Sequence, residues 1–465
     1  MAMRPYATPH SIQNGERSMR ADIAAHLEAQ WEPMKAALVE LVRIPSVCDE
    51  GGGGTPFGEA VDQALLKTLQ IAAGLGFRTQ YGDGGYYGYA EIGEGEELVG
   101  ILGHLDVVPP GKLEDWDLGP FDPAEIDGML YGRGTQDDKG PICAALFAVK
   151  ALADAGFKFN KRLRFIFGTD EETLWRCINR YKEKEELPDM GFSPDSRFPL
   201  IFAEKGLLQL HLEGGSESGL RMAGGSAFNA VPDTMLYGGE RQDDLSRWLD
   251  ALGFAYTRTE EGIEVHGKAA HAMEAEVGIN AIARTCLALD AMGVESKAVL
   301  FVAREIGEDP YATGIFGECA DEPSGRLRFN VGKIDLGEVE QISIDARIPV
   351  TVPKQEIISK LSAAAARYGL EYKEFDWLAP IYLPLDHFMI ETLMRVYREV
   401  SGDTVSQPIS SGGATYARAI KNCVAFGPLI HGELITEHQP NERVVLENLY
   451  KAMDIYAHAV YELTR

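Results

Sequence analysis

A continuous apolar run, Leu98-Val99-Gly100-Ile101-Leu102, passes without a polar break into Gly103-His104-Leu105-Asp106-Val107-Val108-Pro109. A run this short and this uninterrupted reads as a buried strand of an α/β sheet rather than as the half-exposed strand that alternation would mark. Such a strand needs partners beside it and helices covering it, which restricts the fold class at once. It also puts His104 and Asp106 at the carboxyl end of a strand, where open α/β sheets bind their ligands.

The flanking sequence supplies the partners. Helical spacing of apolar residues runs over 21–43 and stops at Ile44-Pro45, and a second amphipathic helix spans 56–75 with Gly76 as its stop. Between them, Gly51 to Gly54 followed by Thr55-Pro56 is a flexible turn; no strand precedes it and no Lys-Ser/Thr follows, so it is no phosphate loop. Strands are expected at 77–81, 86–92 and 162–168, and a helix at 141–155. Near Gly206 the texture changes to strands at 207–213, 262–267, 326–335 and 341–348 with helices at 278–292 and 354–368. Helix–strand alternation then returns, with a helix at 388–400, a strand at 424–426 and a last helix at 444–463. The expected architecture is an α/β catalytic domain, a mixed sheet with helices on both faces, built from 1–205 and 382–465 and interrupted by an inserted α+β domain at 206–381. A chain of 465 residues is long enough for at least two such units.

Composition narrows the function classes. A formal charge of −27 disfavours nucleic acid and anionic membranes, which need clustered Lys and Arg. No apolar run is long enough to span a bilayer, and Met1 to Arg20 lacks an apolar signal core, so a soluble, unexported, cytoplasmic protein is expected. Cys48, Cys143, Cys177, Cys286, Cys319 and Cys423 form no C-x-x-C pair, which fits reduced thiols rather than a disulfide framework or zinc ribbon.

Chemistry-bearing residues cluster at strand ends and loops. Zinc and manganese take imidazole nitrogen and carboxylate oxygen, and the chain offers His104, Asp137, Glu172, Asp195 and His438. Asp106 is placed to orient His104 as a supporting carboxylate, and Glu171, beside Glu172, to act as a general base. A blander reading stands next to this one: a strand-end His as a structural hydrogen-bonder, and Asp137-Asp138 or Asp170-Glu171-Glu172 as carboxylates at helix N-termini. Glu183 to Glu186 reads as a solvated helix face.

Taken together, Gly103 to Pro109, Gly132-Arg133-Gly134-Thr135-Gln136-Asp137-Asp138-Lys139-Gly140-Pro141 and Gly168-Thr169-Asp170-Glu171-Glu172 with Trp175 resemble the dinuclear metallopeptidases that include glutamate carboxypeptidase, the aminoacylases and carnosinase. Gly191-Phe192-Ser193-Pro194-Asp195 and Glu204-Lys205-Gly206 resemble the bacterial dipeptidases of the PepV/Sapep type within that family. The resemblance runs from about Trp31 to Thr464. It implies two divalent metal ions, zinc or manganese, one on His104, Asp137 and Asp195 and the other on Asp137, Glu172 and His438, with Asp137 bridging, Glu171 as base and Asp106 supporting His104. Asp138 stays outside the ligand set. Glu437-His438-Gln439-Pro440-Asn441-Glu442 resembles the family's C-terminal motif, which favours His438 over His431 as last ligand; His431, His211, His266 and His387 are read as ordinary histidines.

The inserted domain resembles the family's lid. Gly267-Lys268-Ala269-Ala270-His271-Ala272 with Gly278-Ile279-Asn280-Ala281 implies that His271 polarises the scissile carbonyl, and Asn229 and Arg347 match positions that hold substrate. The Arg347 fork suits a substrate carboxylate, and Ser411-Gly412-Gly413 resembles a loop offering amide groups to it. The implied activity is hydrolysis of dipeptides by a monomer with an enlarged lid. The rival readings are an N-acyl amino acid amidohydrolase or carboxypeptidase on the same residues, and a silent metal-binding scaffold.

Overall fold

The computed structural model describes residues 9–51 and 54–465, with side chains from Ile23 onward. Gly52 and Gly53 of the expected glycine turn, and the first eight residues of the N-terminal stretch, lie outside the described residues. The chain forms two compact units, one of Met1–Phe202, Leu383–Ile409 and Thr415–Arg465, the other of Ala203–Tyr382 and Ser410–Ala414. Among the described residues, no helix is long and apolar enough to cross a membrane.

The first unit is built on a mixed sheet. Arg78–Gly82, Tyr87–Ile92 and Arg162–Gly168 run antiparallel in sequence, and Arg162–Gly168, Leu98–His104, Met190–Ser193 and Cys423–Ala425 continue it in parallel. Every residue of Leu98–His104 is buried, as its unbroken apolar run requires. Helices cover both faces, and one pair of neighbours in a strand shows it. Tyr87 packs edge-on against Tyr181 of helix Arg176–Lys184 at 5.2 Å, whereas a Cβ on the next residue, Gly88, would come within 2.8 Å of Leu65 in helix Glu59–Gly74. Successive side chains of a strand point to opposite faces, so the two helices lie on opposite sides. The N-terminal helix extends over Pro9–Val42, longer than the expected 21–43, and buries Ile23, Leu27, Met34, Leu38 and Leu41 at helical spacing. It packs with Lys139–Asp154, which also contacts the last helix, Leu446–Thr464.

The second unit carries a five-stranded antiparallel sheet in the order Met222–Gly224, Arg328–Leu336, Val339–Ile348, Gly206–Gly215, Glu371–Leu378. Strict alternation sorts its two central strands. Leu208, Leu210, Leu212, Ile342, Ile344 and Ala346 join the buried core with residues of Ala281–Ala291 and Lys354–Ala366. The opposite face therefore collects Gln209, His211 and Glu213 beside Asp345, Ser343 and Gln341 in direct register. Arg347 belongs to that polar face.

Two expectations for single segments change. Glu171 and Glu172 are not helix N-terminal carboxylates, because the helix after them starts only at Arg176, whereas Asp170 is one: its Oδ2 accepts the Arg176 amide at 2.9 Å. The acidic stretch 183–186 is not simply solvated: Glu185 accepts from the Tyr87 hydroxyl and Glu186 pairs with Arg162 at 2.7 Å.

Candidate metal centre and substrate-binding face

Strand order assembles the first group of side chains. His104 is the last residue of its strand and stands level with Gly168, after which the neighbouring parallel strand runs into Glu171 and Glu172. On the other side Met190–Ser193 leads to Asp195, and the loop ahead of Lys139–Asp154 carries Asp137. His438 comes from the loop before Arg443–Val445. Three adjacent parallel strands thus deliver their carboxyl ends to one place.

The atoms converge closely. His104 Nε2 lies 2.9 Å from Asp137 Oδ1 and 3.8 Å from Asp195 Oδ2. His438 Nε2 lies 3.1 Å from Asp137 Oδ2 and 3.1 Å from Glu172 Oε2. Each oxygen of Asp137 therefore faces a different imidazole. Donor atoms of His104, Asp137 and Glu172 fall within 4.8 Å of one another, as do those of His104, Glu171 and Asp195. Glu171 reaches the same space as the expected ligands. His104 is 1% exposed and Asp106 fully buried, whereas His438 is open to solvent on one side.

Electrostatics favour a cation here. Burial, and then the charges of Glu172, Asp137 and Asp106, hold Glu171 well above the usual carboxylate range; burial and Asp137 do the same to Asp195 and push up Glu172. Burial would lower His104, but its bonds to Asp106 and Asp137 drive it well above the ordinary histidine value. Buried nitrogen and carboxylate donors that repel or neutralise one another only by holding protons are a donor set suited to a divalent ion.

Asp106 works differently from the sequence expectation. The Nδ1 of His104 bonds the backbone oxygen of Asp106 at 2.9 Å, with the carboxylate 3.6 Å away. The carboxylate instead accepts the amides of Glu171 at 3.1 Å and Glu172 at 3.0 Å. One residue thus orients the imidazole through its main chain and both following glutamates through its side chain. Asp138 accepts the His104 amide at 3.2 Å, and a Cβ at Gly103 would strike it at 2.3 Å. Only glycine fits there.

The second unit assembles its own polar group. Ala230–Val231 pairs with Ala270–His271, and the Asn229 carbonyl accepts the Ala272 amide at 2.8 Å, bringing Asn229 beside His271. The Met273 amide donates to His271 Nδ1 at 3.0 Å. An imidazole that accepts at Nδ1 carries its proton on Nε2, so His271 is set as a neutral donor. Both His271 and Asn229 are exposed. Buried Asn330 holds the strand beneath them through bonds to the Phe228 and Ala230 carbonyls at 2.9 and 2.8 Å, and Asn280 bonds Asn330 while capping helix Ala281–Ala291.

Arg347 departs from the expected open fork. Its Nε and one terminal nitrogen are already engaged by Asp345 at 2.6 and 3.0 Å, and the other terminal nitrogen donates to the Gly412 carbonyl at 2.7 Å. All three guanidinium nitrogens are thus engaged, and Arg347 is buried. Gly412 abuts Met273, where a Cβ would come within 2.9 Å, so Arg347, the glycine loop and the His271 turn form one group. The Gly413 amide bonds the Ser411 hydroxyl at 2.9 Å. Asp345 and Asn330 had no signal in the sequence beyond strand alternation, because their work is done on a side chain and on carbonyls distant in the chain. His211 bonds Ser343 at 3.0 Å and lies against Phe228 and Phe375, a structural setting.

Comparison with known proteins adds an independent line. The sequence profile of peptidase family M20/M25/M40 matches residues 100–462. A Bacillus subtilis protein named "Putative dipeptidase YtjP" is 36% identical over 459 residues, 92% of this chain and 96% of that one. A Staphylococcus haemolyticus protein of the same designation is 31% identical over 450 residues, 91% of this chain and 95% of that one. Among solved structures, human carnosine dipeptidase 1 superposes with a TM-score of 0.60 at 16% identity, covering 96% of this chain and 98% of that chain. An M20 family metallo-carboxypeptidase from Sulfolobus solfataricus gives 0.60 at 18% identity, covering 92% and 98%. At such identities the structural likeness speaks for the fold alone.

Proposed function

This chain belongs to peptidase family M20/M25/M40, and from that premise we propose that it is a dinuclear metal-dependent dipeptidase. The observation that carries the reading is the single carboxylate of Asp137 faced by two imidazoles, His104 at 2.9 Å on one oxygen and His438 at 3.1 Å on the other. In this reading His104, Asp137 and Asp195 hold one divalent ion and Asp137, Glu172 and His438 a second; zinc and manganese both suit such donors. When bound, the ions polarise the peptide carbonyl and make water acidic enough to be deprotonated near neutral pH.

The chain's own residues do the rest. Glu171 takes the proton of the attacking water onto its carboxylate and returns it to the departing amine nitrogen. Asp106 fixes the backbone of Glu171 and Glu172. Residues 206–381 act as a lid in which the Nε2–H of His271 donates to the carbonyl oxygen as charge develops there. Arg347, with Ser411, Gly412 and Gly413, receives the substrate's C-terminal carboxylate, and Asn229 holds the peptide. The enzyme works as a monomer in the cytoplasm.

The test is metal analysis of the purified protein together with a panel of dipeptides with free and blocked amino groups. Two equivalents of metal and turnover confined to the free members are expected. Equal turnover of the N-blocked members overturns the dipeptidase reading in favour of an N-acyl amidohydrolase or carboxypeptidase.

A further inference from the structure

Two reciprocal side chains fasten the loop that carries Asp137 to the loop that carries His438. Glu442, fully buried, reaches from the C-terminal loop into the earlier one. Its Oε1 accepts the amides of Gly134, Gln136 and Asp137 at 3.0, 2.9 and 3.2 Å, and its Oε2 pairs with Arg133 at 2.6 Å. Successive amides converging on one oxygen form an anion nest, filled here by the protein's own carboxylate. Gln136 reaches back: its Oε1 accepts the amides of Thr436 and Glu437 at 2.6 and 2.9 Å, and its Nε2 donates to the Leu434 and Arg443 carbonyls at 3.2 Å each. The Gly132 amide closes the frame on the Glu442 carbonyl at 2.9 Å.

The placement of the bonds matters more than their number. Glu442 ends on the amide of Asp137 itself, and Gln136 ends on the amide of the residue just before His438. The two histidine-facing groups, about 300 residues apart in sequence, are thereby held by contacts that involve no ligand atom. Ligand positions must be kept within about 0.5 Å to bind well.

We propose that Glu442 and Gln136 are positioning residues that hold Asp137 and His438 in register for metal before any ion arrives. The inference rests on the dinuclear reading above and adds where its affinity comes from. Neither residue touches substrate, so their loss should weaken metal binding without altering how peptide is bound.

Titration of the metal-free full-length protein with Mn2+ by calorimetry tests this. Glu442→Gln keeps the shape and removes the charge; Gln136→Ala removes the return arm, should the first variant fail to fold. Weakening of at least one Mn2+ by about 10- to 100-fold is expected, the range for residues that support metal ligands. Near-UV circular dichroism should match the parent, dipeptide turnover should recover as Mn2+ is raised, and KM should stay unmoved. A folded variant with the parent's Mn2+ affinity overturns the inference alone. Absence of Mn2+ and Zn2+ binding by the parent overturns the functional reading and this inference with it.

Discussion

Glu171 and Asp345 show how much of the site depends on what a side chain is fastened to. Glu171 sits among the expected ligands, yet its amide is held by Asp106 at 3.1 Å, so replacing its side chain should leave the donor set in place. Glu171→Ala is expected to lower kcat by about 10²- to 10⁴-fold, the range of a lost general base, with metal content near normal. Turnover that survives the change would remove the proposed proton path. Asp345 engages the Arg347 guanidinium through two bonds, so Asp345→Asn should let it wander. KM for a dipeptide is expected to rise by about tenfold at nearly constant kcat, the pattern of lost uniform binding; an unchanged KM would mean that Arg347 does not hold the substrate.

Neither Asp345 nor Asn330 could be picked out from the sequence, though the strands that carry them were found. Alternation says which residues share a face, and it is silent on which of them bond each other. Among the candidate ligands, His104 and Glu172 stood out because each closely follows an apolar run that reads as a strand, whereas Asp137, Asp195 and His438 gained their weight from the family resemblance. Asp106 was legible as a residue, but neither the main-chain oxygen it offers His104 nor the amides its carboxylate holds could be read, since main-chain and side-chain acceptors two residues away cannot be told apart by spacing.

Elements divide in the same way. Long apolar stretches such as Arg162–Gly168 and Lys139–Asp154 were evident in the sequence. Met190–Ser193 was not, because four residues carry no period, nor was Glu371–Leu378, whose charged positions suit an exposed edge strand and break the apolar pattern. Within the sheet, buried Arg164 is held by Glu91 at 2.8 and 2.7 Å and by the Tyr181 hydroxyl at 3.0 Å. Glu91→Ala leaves that charge unpaired and is expected to cost about 3–5 kcal/mol in denaturant unfolding, whereas an apolar replacement of both partners should recover much of it. In the second unit, the bond to Arg328 is the main reason that the Glu276 carboxyl lies below its ordinary value of 4.5. A carboxylate lowered on folding contributes stability above its unfolded pKa and loses it as pH falls through the folded one. The stability difference between the parent and Arg328→Met should therefore be largest near neutral pH and shrink below about pH 4; a difference that persists into acid would point to packing by Arg328 instead.

At the scale of the whole molecule, the family and the mixed α/β fold follow from strand-end motifs that are dispersed from Gly103 to Glu442. Dispersed motifs identify a family well and describe assembly poorly. What the sequence left open is how His104 and His438, 334 positions apart, come to face the same carboxylate, and in the structure that depends on parallel strand order together with buried side chains that bond main-chain amides. The proposal that residues 206–381 form a self-sufficient lid makes a whole-molecule prediction: sedimentation should show a monomer at concentrations where dipeptide is turned over. A dimer whose activity disappears on dissociation would contradict it.

In the proposed function Asp137 is shared by two ions. Anomalous diffraction from crystals equilibrated with zinc addresses it directly. Two peaks about 3.5–4 Å apart are expected, one beside His104 and Asp195, the other beside His438 and Glu172, with Asp137 between them. A single peak, or two that do not share Asp137, would contradict it.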